Sequence, residues 1–299
     1  MPPECDPGVL LARDDLYKEG ITNVTYVSTN FTTRQWLTDD LADVALAHPE
    51  FMVATLNAGV PLTILAGLHT ACLELWVDRS ITSFSGLRGR RISVRVADLT
   101  DQFYAFFATI LAWIGIDPLR DVHFVEAGLD NYPGMINAFK QGRADAVLAG
   151  GVEGPRLRQI KPLPGHVLLD TMIAKPWSQY ECCHLVANRD WALRNPAATQ
   201  RVTRAIIRAT DRAAKDHPRA AHDAVASGNA GTSGYFQDET LVTQAMDMCT
   251  YNWRTAEPEE TLRFFSLRLA EANLIKRTPE ELIGLGANFA YMRQLRSEL

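Results

Sequence analysis

Apolar strand-like runs alternate with amphipathic helical segments along most of the chain, and this order limits the possible folds more than any other feature. The clearest strand patterns are "NVTYVST" (23–29), "VPLTILAGLH" (60–69), "LELWVD" (73–78), "LRGRRISVRV" (87–96) and "ADAVLAG" (144–150). The segment "TDQFYAFFATILAWIG" (100–115) is typical of a helix, because Thr100 or Asp101 suits an N-cap and Gly115 suits the C-terminal end. Alternating strands and helices predict an α/β fold with a mostly parallel sheet covered on both faces.

The ends of three predicted strands are the places where such a fold would bind a ligand. Open α/β sheets bind ligands at the carboxyl ends of their strands, where the strand order reverses. The loops that follow "LTILAG", "ISVRV" and "DAVLAG" therefore form the predicted site. From Pro196 onward the pattern is mainly helical.

Composition and charge exclude several classes of function. The chain has 299 residues, enough for two lobes of ordinary size, with 47% hydrophobic and 22% charged residues. The net charge is −5 and the lysines and arginines are scattered, which argues against a nucleic-acid partner. No apolar run reaches the roughly 18 residues of a membrane span. The first residues, "MPPECDPGVLLARDD", lack the pattern of a secretory signal.

Adjacent Cys182, Cys183 and His184 raise the question of a metal or redox centre. If "ECCHLV" is a strand, the two cysteines point to opposite faces and cannot both bind one ion. Cys182 and His184 would share a face, but no third ligand is evident, and the chain has no CxxC, HxxxH or HExxH spacing. We therefore predict no metal site and no cofactor, and we interpret the cysteines as packing. A vicinal disulfide remains an alternative, although five cysteines cannot all pair.

Several stretches, taken in order, resemble one protein family. They are "VPLTILAGLHTACLELWV", "LRGRRISVRV", "IGIDPLRDVHFV", "GRADAVLAG", "KPWSQYECCHLVANRDW" and "WRTAEPEETLRFFSLRLAEANLIKRTPEELI". From about residue 5 to the C-terminus the chain is similar to the NMT1-like substrate-binding proteins of ABC transporters, which bind sulfonates, nitrate or taurine. That group is also similar to the thiamine-pyrimidine synthases.

The resemblance implies a type II periplasmic-binding-protein fold with two lobes that close on a ligand. Lobe 1 would comprise residues 1–78 and 188–299, lobe 2 residues 79–187, and the hinge crossings would lie near 77–82 and 184–190. Each lobe would be a mostly parallel sheet flanked by helices. By the same resemblance, the first strand usual in lobe 1 would be missing, and "PPECDPGVLLARDDLYKEG" would enter directly at the first loop and helix.

The resemblance also implies a function without catalysis. The chain would be a monomeric solute-binding component that clamps a small organic molecule or anion and delivers it to ABC permease and ATPase subunits. Its location would be the periplasm, or the cell surface through a lipid anchor. The alternatives are a thiamine-pyrimidine-synthase-like enzyme and a truncated, non-functional relative. The enzyme is disfavoured because its cysteine-rich iron-binding run is reduced to "ECCH" and residues 60–69 contain no lysine.

The first two predicted loops offer four candidate ligand contacts: Gly67, His69, Thr100 and Asp101. His69, close to Gly67 at the end of an apolar strand, is predicted to hydrogen-bond the ligand, or else to be satisfied by nearby backbone. Cys72 is interpreted as a small buried side chain. Thr100 and Asp101 precede a helix N-terminus that suits an anion, but capping alone also explains both residues.

The third loop and the segment before the second crossing supply the remaining candidates. Glycines allow close backbone approach to a ligand, and a carboxylate there would pair with a cationic group; the alternative is an ordinary turn. An aromatic wall with a few polar tips is typical of small-molecule pockets, and the alternative is a hinge held by packed rings. These candidates are Gly150, Gly151 and Glu153 in the loop, and Trp177, Ser178, Gln179, Tyr180 and Cys182 in the later segment.

Overall fold

The computed structural model describes residues 5–27, 41–128, 131–228 and 237–298. The strands in these ranges are β1 (Val44–Ala47), β2 (Leu62–Ala71), β3 (Leu73–Val77), β4 (Arg91–Val94), β5 (His123–Glu126), β6 (Ala146–Gly150), β7 (His166–Asp170), β8 (Glu181–Asn188) and β9 (Cys249–Thr250). The helices are α1 (Gly8–Leu11), α2 (Arg13–Lys18), α3 (Pro49–Asn57), α4 (Gln102–Trp113), α5 (Tyr132–Lys140), α6 (Glu153–Gln159), α7 (Arg189–Arg194), α8 (Pro196–Ala213), α9 (His217–Ser227), α10 (Glu239–Asp247), α11 (Pro258–Glu271), α12 (Pro279–Gly286) and α13 (Ala290–Glu298). Short 3-10 turns lie at Phe84–Leu87 and Trp177–Gln179.

The strands form two sheets, as an α/β protein with two lobes requires. The first sheet has the order β1-β8-β2-β9 and the second has the order β5-β4-β6-β3-β7. In the second sheet β4 pairs parallel with β5 and β6, whereas β3 pairs antiparallel with β6 and β7. In the first sheet every described pairing is antiparallel. The sheets are thus mixed rather than mostly parallel, because β8 enters the first sheet between β1 and β2 and runs opposite to both.

The chain passes between the sheets at two places. It leaves the first sheet at Cys72, between β2 and β3, and returns between Asp170 and Glu181. Ala71 and Cys72 have φ values of 70° and 93°, a backbone conformation that turns the chain within an otherwise continuous apolar run. Both changes of sheet lie on the N-terminal side of the predicted crossings near 77–82 and 184–190. Sequence periodicity does not register a backbone turn of this kind, and the division into lobes stays a prediction.

The longest apolar run has the structure expected from its sequence. β2 is buried along its whole length and lies between β8 and β9 in the first sheet. β8 is also fully buried. Each fully buried Leu or Ile side chain contributes about 1.5–3 kcal/mol from the hydrophobic effect, so these two strands form the centre of the fold.

One predicted strand is not formed. Residues 23–27 of the "NVTYVST" segment belong to no strand of the described ranges, and residues 28 and 29 lie outside those ranges. The Tyr26 hydroxyl donates instead to the carbonyl oxygens of Val9 and Leu10, at 3.1 and 3.3 Å. A β-branched run becomes a strand only when a neighbouring strand pairs with it, so its composition alone gave the wrong result here.

Helix α4 connects the second lobe to the first. It contacts α3 and α11, and α6 contacts α10. The ring of Trp177, which lies just before β8, packs at 5.4 Å from Phe106 of α4 and at 6.4 Å from Phe265 of α11. The helices of the two sheets are therefore in direct contact beside the second crossing. None of the helices described is long and apolar enough to cross a membrane.

Candidate functional site

Four side chains from distant parts of the sequence meet at the first sheet. Cys5 lies in the loop before α1, His69 near the end of β2, Cys183 in β8 and Cys249 in β9. β2 lies between the other two strands, so His69 is opposite Cys183 on one side and Ala71 is opposite Cys249 on the other. We call Cys5, His69, Cys183 and Cys249 the thiol–imidazole cluster.

The thiol–imidazole cluster is tightly packed and closed to solvent. Ligand atoms of Cys5, His69 and Cys183 all lie within 4.8 Å of one another. None of the four residues is more than 7% exposed. Hydrogen bonds from the Cys183 and Cys249 thiols hold the pKa of the Cys5 thiol well below its usual value, against the effect of burial. Burial raises the pKa values of Cys183 and Cys249, so Cys5 is the thiol that ionises first.

The His69 ring has one nitrogen engaged and one available. Its Nδ1 lies 3.2 Å from the carbonyl oxygen of Thr70, and its Nε2 has no hydrogen-bond partner in the described part of the chain. The carbonyl assigns the proton to Nδ1 in the neutral ring and leaves a lone pair on Nε2. Burial lowers the pKa of His69, but the neighbouring Cys5 and Asp6 raise it by more, so the pKa is raised overall.

A second buried polar group lies at the start of α3. Glu50 is completely buried, and neither carboxylate oxygen accepts a hydrogen bond from the described residues. Its Oε1 lies 3.7 Å from Nδ1 of His48, whose other close neighbour is the Cys182 sulfur at 3.8 Å. Burial raises the pKa of Glu50 well above its usual value and lowers that of His48 to about 4. Burial therefore favours the uncharged form of both groups over an ion pair between them.

A disulfide joins the two places where the chain changes sheet. Cys72 at the first crossing is bonded to Cys182 at the start of β8. Cys182 is thus half of a cross-link and does not present a free thiol to a ligand, as its prediction as a binding residue assumed. Cys5, Cys183 and Cys249 remain free, and the vicinal Cys182–Cys183 disulfide is not formed. The Cys183 sulfur nevertheless lies within 4.8 Å of the Cys182 sulfur, because the β2–β8 pairing shifts register here and the alternation expected of a regular strand is lost.

Gly67 makes room for a buried carboxylate. A Cβ atom at this position would lie 2.9 Å from Cγ of Glu181, which packs across β2 from the start of β8. The Thr261 hydroxyl donates to Oε2 of Glu181, and burial raises the pKa of that carboxyl to about 7. The glycine is therefore required by a neighbouring side chain of the same protein.

Thr100 and Asp101 are occupied by contacts within their own loop. The Thr100 hydroxyl donates to Asp98. Asp101 is fully buried, caps α4 by accepting from the Phe103 amide at 3.1 Å, and pairs with the Arg95 guanidinium at 2.8 Å. The capping alternative accounts for both residues, and the carboxylate of Asp101 already has its donors.

The glycine-rich loop lies directly after β6, at the position predicted from the sequence. Gly150 exchanges hydrogen bonds with the Tyr132 hydroxyl, at 2.9 Å through its amide and 3.2 Å through its carbonyl. Gly151 has a φ of 54°, which glycine adopts without strain. Glu153 begins α6, is buried, and accepts from Arg156 at 2.6 Å. The loop thus provides close backbone approach, while its carboxylate is paired internally.

The segment from Trp177 to Tyr180 lies at the second crossing, next to α4 and α11. Trp177 is buried among aromatic rings, yet its Nε1 has no partner in the described part of the chain. Tyr180 stacks on Phe264 with ring centroids 4.3 Å apart. The Ser178 amide donates to the Ala174 carbonyl at 3.0 Å, and Gln179 is exposed. The packed-hinge alternative describes the rings, and the free indole donor is what remains for a ligand.

The structure brings together only part of the predicted set. His69, Gly67 and Cys182 lie on adjacent strands of the first sheet, whereas Thr100, Asp101, Gly150 and Glu153 belong to the second sheet or its loops. Sequence reasoning missed Cys5, Cys249, His48 and Glu50. Their separations along the chain carry no motif, and the one available signal was the surplus of cysteines over what one disulfide uses.

A separate apolar cavity of about 570 Å³ lies beside β1. Its walls come from α1, α2, α8 and β1, with Trp191 at one side. None of the predicted site residues lines it. The cavity is therefore distinct from the residues at the junction of the two sheets.

Comparison with known proteins assigns the family. The family model described as NMT1/THI5 like matches residues 15–221, more than half of the chain. The chain belongs to the NMT1/THI5-like family. No curated protein matches it at a significant level. The family resemblance predicted from the sequence is thereby confirmed.

Solved structures of similar fold extend over almost the whole of this NMT1/THI5-like chain. The periplasmic nitrate-binding protein NrtA from Synechocystis aligns with a TM-score of 0.74 and 11% identity, over 99% of this chain and 86% of NrtA. The alkanesulfonate-binding protein SsuA from Xanthomonas axonopodis, bound to MOPS, aligns with a TM-score of 0.71 and 14% identity over 96% of each chain. The periplasmic aliphatic sulphonate-binding protein SsuA from Escherichia coli aligns with a TM-score of 0.68 and 15% identity, over 92% of this chain and 87% of that one. At such identities the likeness establishes the fold, a two-lobed α/β structure.

Proposed function

We propose that this chain is the solute-binding component of an ABC importer and acts without catalysis. It clamps a small organic molecule or anion between its lobes, outside the cytoplasmic membrane, and delivers it to permease and ATPase subunits. The arrangement of two sheets joined by two crossings supports this proposal, because hinge closure around a ligand is a common use of such a fold. The names of its structural neighbours, which are nitrate- and sulfonate-binding proteins, support it as well.

The observation that carries the proposal is a set of buried polar atoms without partners near the crossings. Nε1 of Trp177 and both oxygens of Glu50 have no hydrogen-bond partner within the described residues. Buried polar groups in proteins are almost always paired, so each exception calls for an explanation. A bound solute provides the missing partners, and the two neutral groups next to Cys182, His48 and Glu50, suit hydrogen bonding better than charge pairing.

The ligand class follows from these donors and acceptors. Trp177 offers a single N–H, which requires an acceptor such as a sulfonate, nitrate or carboxylate oxygen or a ring nitrogen. Burial favours the neutral carboxyl form of Glu50, which would both donate and accept. Arg95 is already paired with Asp101 and stacks over the Phe103 ring at 5.2 Å, so its guanidinium is not the recognition element of this proposal. Compact molecules that carry several acceptors on an apolar body fit this set of groups.

A thermal-shift panel tests the proposal directly. Purified protein would be heated with alkanesulfonates, nitrate, taurine, pyrimidine precursors of thiamine, and aromatic acids over a range of concentrations. A specific ligand stabilises the folded state by a free energy of RT ln(1 + [L]/Kd). The melting temperature therefore rises progressively with ligand concentration. One responding chemical class, confirmed by calorimetric titration to one site per chain, is the expected result.

Two results would contradict the proposal. The first is a panel in which no compound shifts the melting temperature in a concentration-dependent way, with the same outcome for a chemically diverse mixture of metabolites. The second is visible absorbance from bound pyridoxal phosphate together with turnover of a pyrimidine precursor, which would favour an enzyme related to the thiamine-pyrimidine synthases instead.

A further inference from the structure

The thiol–imidazole cluster is used neither by the disulfide nor by the proposed solute contacts at Trp177 and Glu50. Three free thiols and one imidazole converge there from the loop before α1 and from β2, β8 and β9. Three thiols cannot all be consumed by disulfides within the cluster. Cys, Cys, Cys and His together form one of the common ligand sets of structural zinc sites. We propose that Cys5, His69, Cys183 and Cys249 form a buried, four-coordinate zinc site.

The spacing of the ligand atoms is close to what a tetrahedral ion needs. With Zn–S bonds of about 2.3 Å, neighbouring sulfur atoms in a tetrahedron lie about 3.8 Å apart. The ligand atoms of Cys5, His69 and Cys183 are already within 4.8 Å of one another. Cys249 is opposite Ala71 on the neighbouring strand, outside that group of three, and its thiol donates to the Ala245 carbonyl oxygen at 3.5 Å. The proposed site closes when those three ligand atoms draw together by up to about 1 Å and χ1 rotation turns the Cys249 sulfur from Ala245 towards them.

His69 presents the nitrogen that a metal would bind. Histidine ligands usually donate the N–H of the other ring nitrogen to a carbonyl or carboxylate, which fixes the ring orientation. Here Nδ1 lies 3.2 Å from the Thr70 carbonyl oxygen. Nε2, in turn, is buried and unpartnered within the described chain. Nε2 is therefore the ring nitrogen that is free to bind an ion.

The Cys5 loop is held in place by contacts outside the cluster. The Tyr251 hydroxyl donates to the Cys5 carbonyl oxygen, and the Tyr251 ring lies 5.5 Å from the His69 ring. Asp6 accepts from the Gly8 amide at 3.0 Å and from the Thr210 hydroxyl at 3.2 Å. These bonds position Cys5 before any ion arrives. A bound ion then ties the loop to three strands of the first sheet.

Closure to solvent assigns the site a structural role. Cys5, His69, Cys183 and Cys249 are 1%, 0%, 0% and 7% exposed, so no open coordination position faces the surface. Catalytic zinc sites keep one position for water or substrate, whereas structural sites are filled by four protein ligands. Thiolate and imidazole donors also favour zinc over magnesium or calcium, which prefer oxygen.

Cobalt is the probe that tests the site in the intact chain. Protein purified anaerobically with a mild reductant and freed of metal by a chelator would be titrated with Co²⁺. We expect saturation at one equivalent, a sulfur-to-cobalt charge-transfer band, and strong visible absorption typical of tetrahedral geometry. Added Zn²⁺ should displace the cobalt, bleach the spectrum and raise the melting temperature. Folded, reduced wild-type protein that shows no such band and no zinc-dependent shift would overturn the proposal.

Cysteine variants locate the ligands. Cys5→Ser, Cys183→Ser and Cys249→Ser should each weaken cobalt binding by more than the roughly 10- to 100-fold that loss of an outer-shell partner costs. The matched control is Cys72→Ser/Cys182→Ser, which removes the two disulfide cysteines and should keep the full spectrum. A band that survives in folded Cys5→Ser and Cys183→Ser protein would contradict the assignment. Because no solute is involved, failure here leaves the solute-binding panel unaffected.

Discussion

Trp177 combines a buried ring with an unused donor, and this makes it a sharp residue-scale test of solute binding. Trp177→Phe keeps most of the aromatic packing and removes Nε1, which has no partner within the described residues. If Nε1 donates to the ligand, its loss leaves a buried acceptor unpaired at a cost of about 1–3 kcal/mol. We expect affinity to fall about 5- to 150-fold by calorimetric titration.

Trp113 supplies the matched control for that variant. Its ring lies edge-on to Trp177, with centroids 5.9 Å apart, and is 38% exposed. Trp113→Phe makes the same chemical change one ring further from the crossing and should leave ligand affinity within about twofold. Equal losses in both variants would mean that aromatic packing matters and that Nε1 is not a ligand contact.

The burial of Glu50 predicts that the stability of the folded protein falls as the pH rises. Burial raises the pKa of Glu50 in the folded protein well above its unfolded value, so the folded state holds a proton that the unfolded state has lost. Stability therefore falls as the pH rises from the unfolded pKa towards the folded one, with a slope of up to about 1.4 kcal/mol per pH unit from this group. Glu50→Gln cannot titrate, so its stability should fall less between pH 5 and pH 8.

Urea unfolding of wild type and Glu50→Gln at both pH values measures this effect. The difference between the two proteins cancels the contributions of other buried acids, including Glu181. A wild-type loss of stability no larger than that of the variant would show that Glu50 is charged in the folded state. The neutral hydrogen-bonding group assigned to it would then be wrong.

At the scale of elements, the disulfide links the two crossings rather than two points within one lobe. Cys72 and Cys182 are 110 residues apart in sequence, so their bond closes a long loop in the unfolded chain. A loop of that length corresponds to a few kcal/mol of stabilisation, about 2–4 in typical measurements. Cys72→Ser/Cys182→Ser should lose about that much free energy of unfolding.

Oxidised and reduced wild-type protein provide the comparison for that variant. Reductant should lower the stability of wild type to the level of the double variant and leave the variant unchanged. In denaturant without reductant, three thiols should react, since three cysteines are free. Equal stability with and without reductant would show that the two crossings are not covalently linked.

The elements best predicted from sequence are those whose pattern is local. The run at 60–69 became β2, and the N-cap at Asp101 begins α4 as its sequence indicates. The segment at 23–29 had equally good strand composition, yet residues 23–27 form no strand, because pairing is a property of the neighbours. The change of sheet at Cys72 depends on two positive φ values within an apolar run. They could not be predicted, because neither Ala71 nor Cys72 is a residue type that favours positive φ.

The site was predictable only in part, for the same physical reason. His69 could be placed at a strand end because the apolar run before it correctly predicted a strand. Cys183 was set aside because strand alternation was expected to separate it from Cys182. That expectation is wrong, since the β2–β8 pairing shifts register at this point and the two sulfur atoms lie within 4.8 Å of each other. The partners of Cys183 come from the loop before α1 and from β9, and only the folded sheet brings Cys5 and Cys249 to it. Tertiary proximity of this kind has no spacing signature in the sequence.

In the molecule as a whole, the two lobes meet through α4. This helix contacts α3 and α11, and its Phe106 ring packs against Trp177, which also packs against Phe265 of α11. The two lobes are therefore in contact in this structure. A ligand shifts such an equilibrium only by binding one arrangement more tightly than the other. The disulfide joins the two places where the chain changes sheet, which is where the proposed clamp would need its hinge.

Small-angle X-ray scattering with and without ligand measures whether the two lobes close on a solute. The compound that raises the melting temperature most would be added at saturation to monodisperse protein. The account predicts a smaller radius of gyration and a shorter maximum dimension with ligand than without it, as the lobes close. A compound that binds one site per chain and stabilises the protein but leaves both quantities unchanged would contradict a solute-binding clamp.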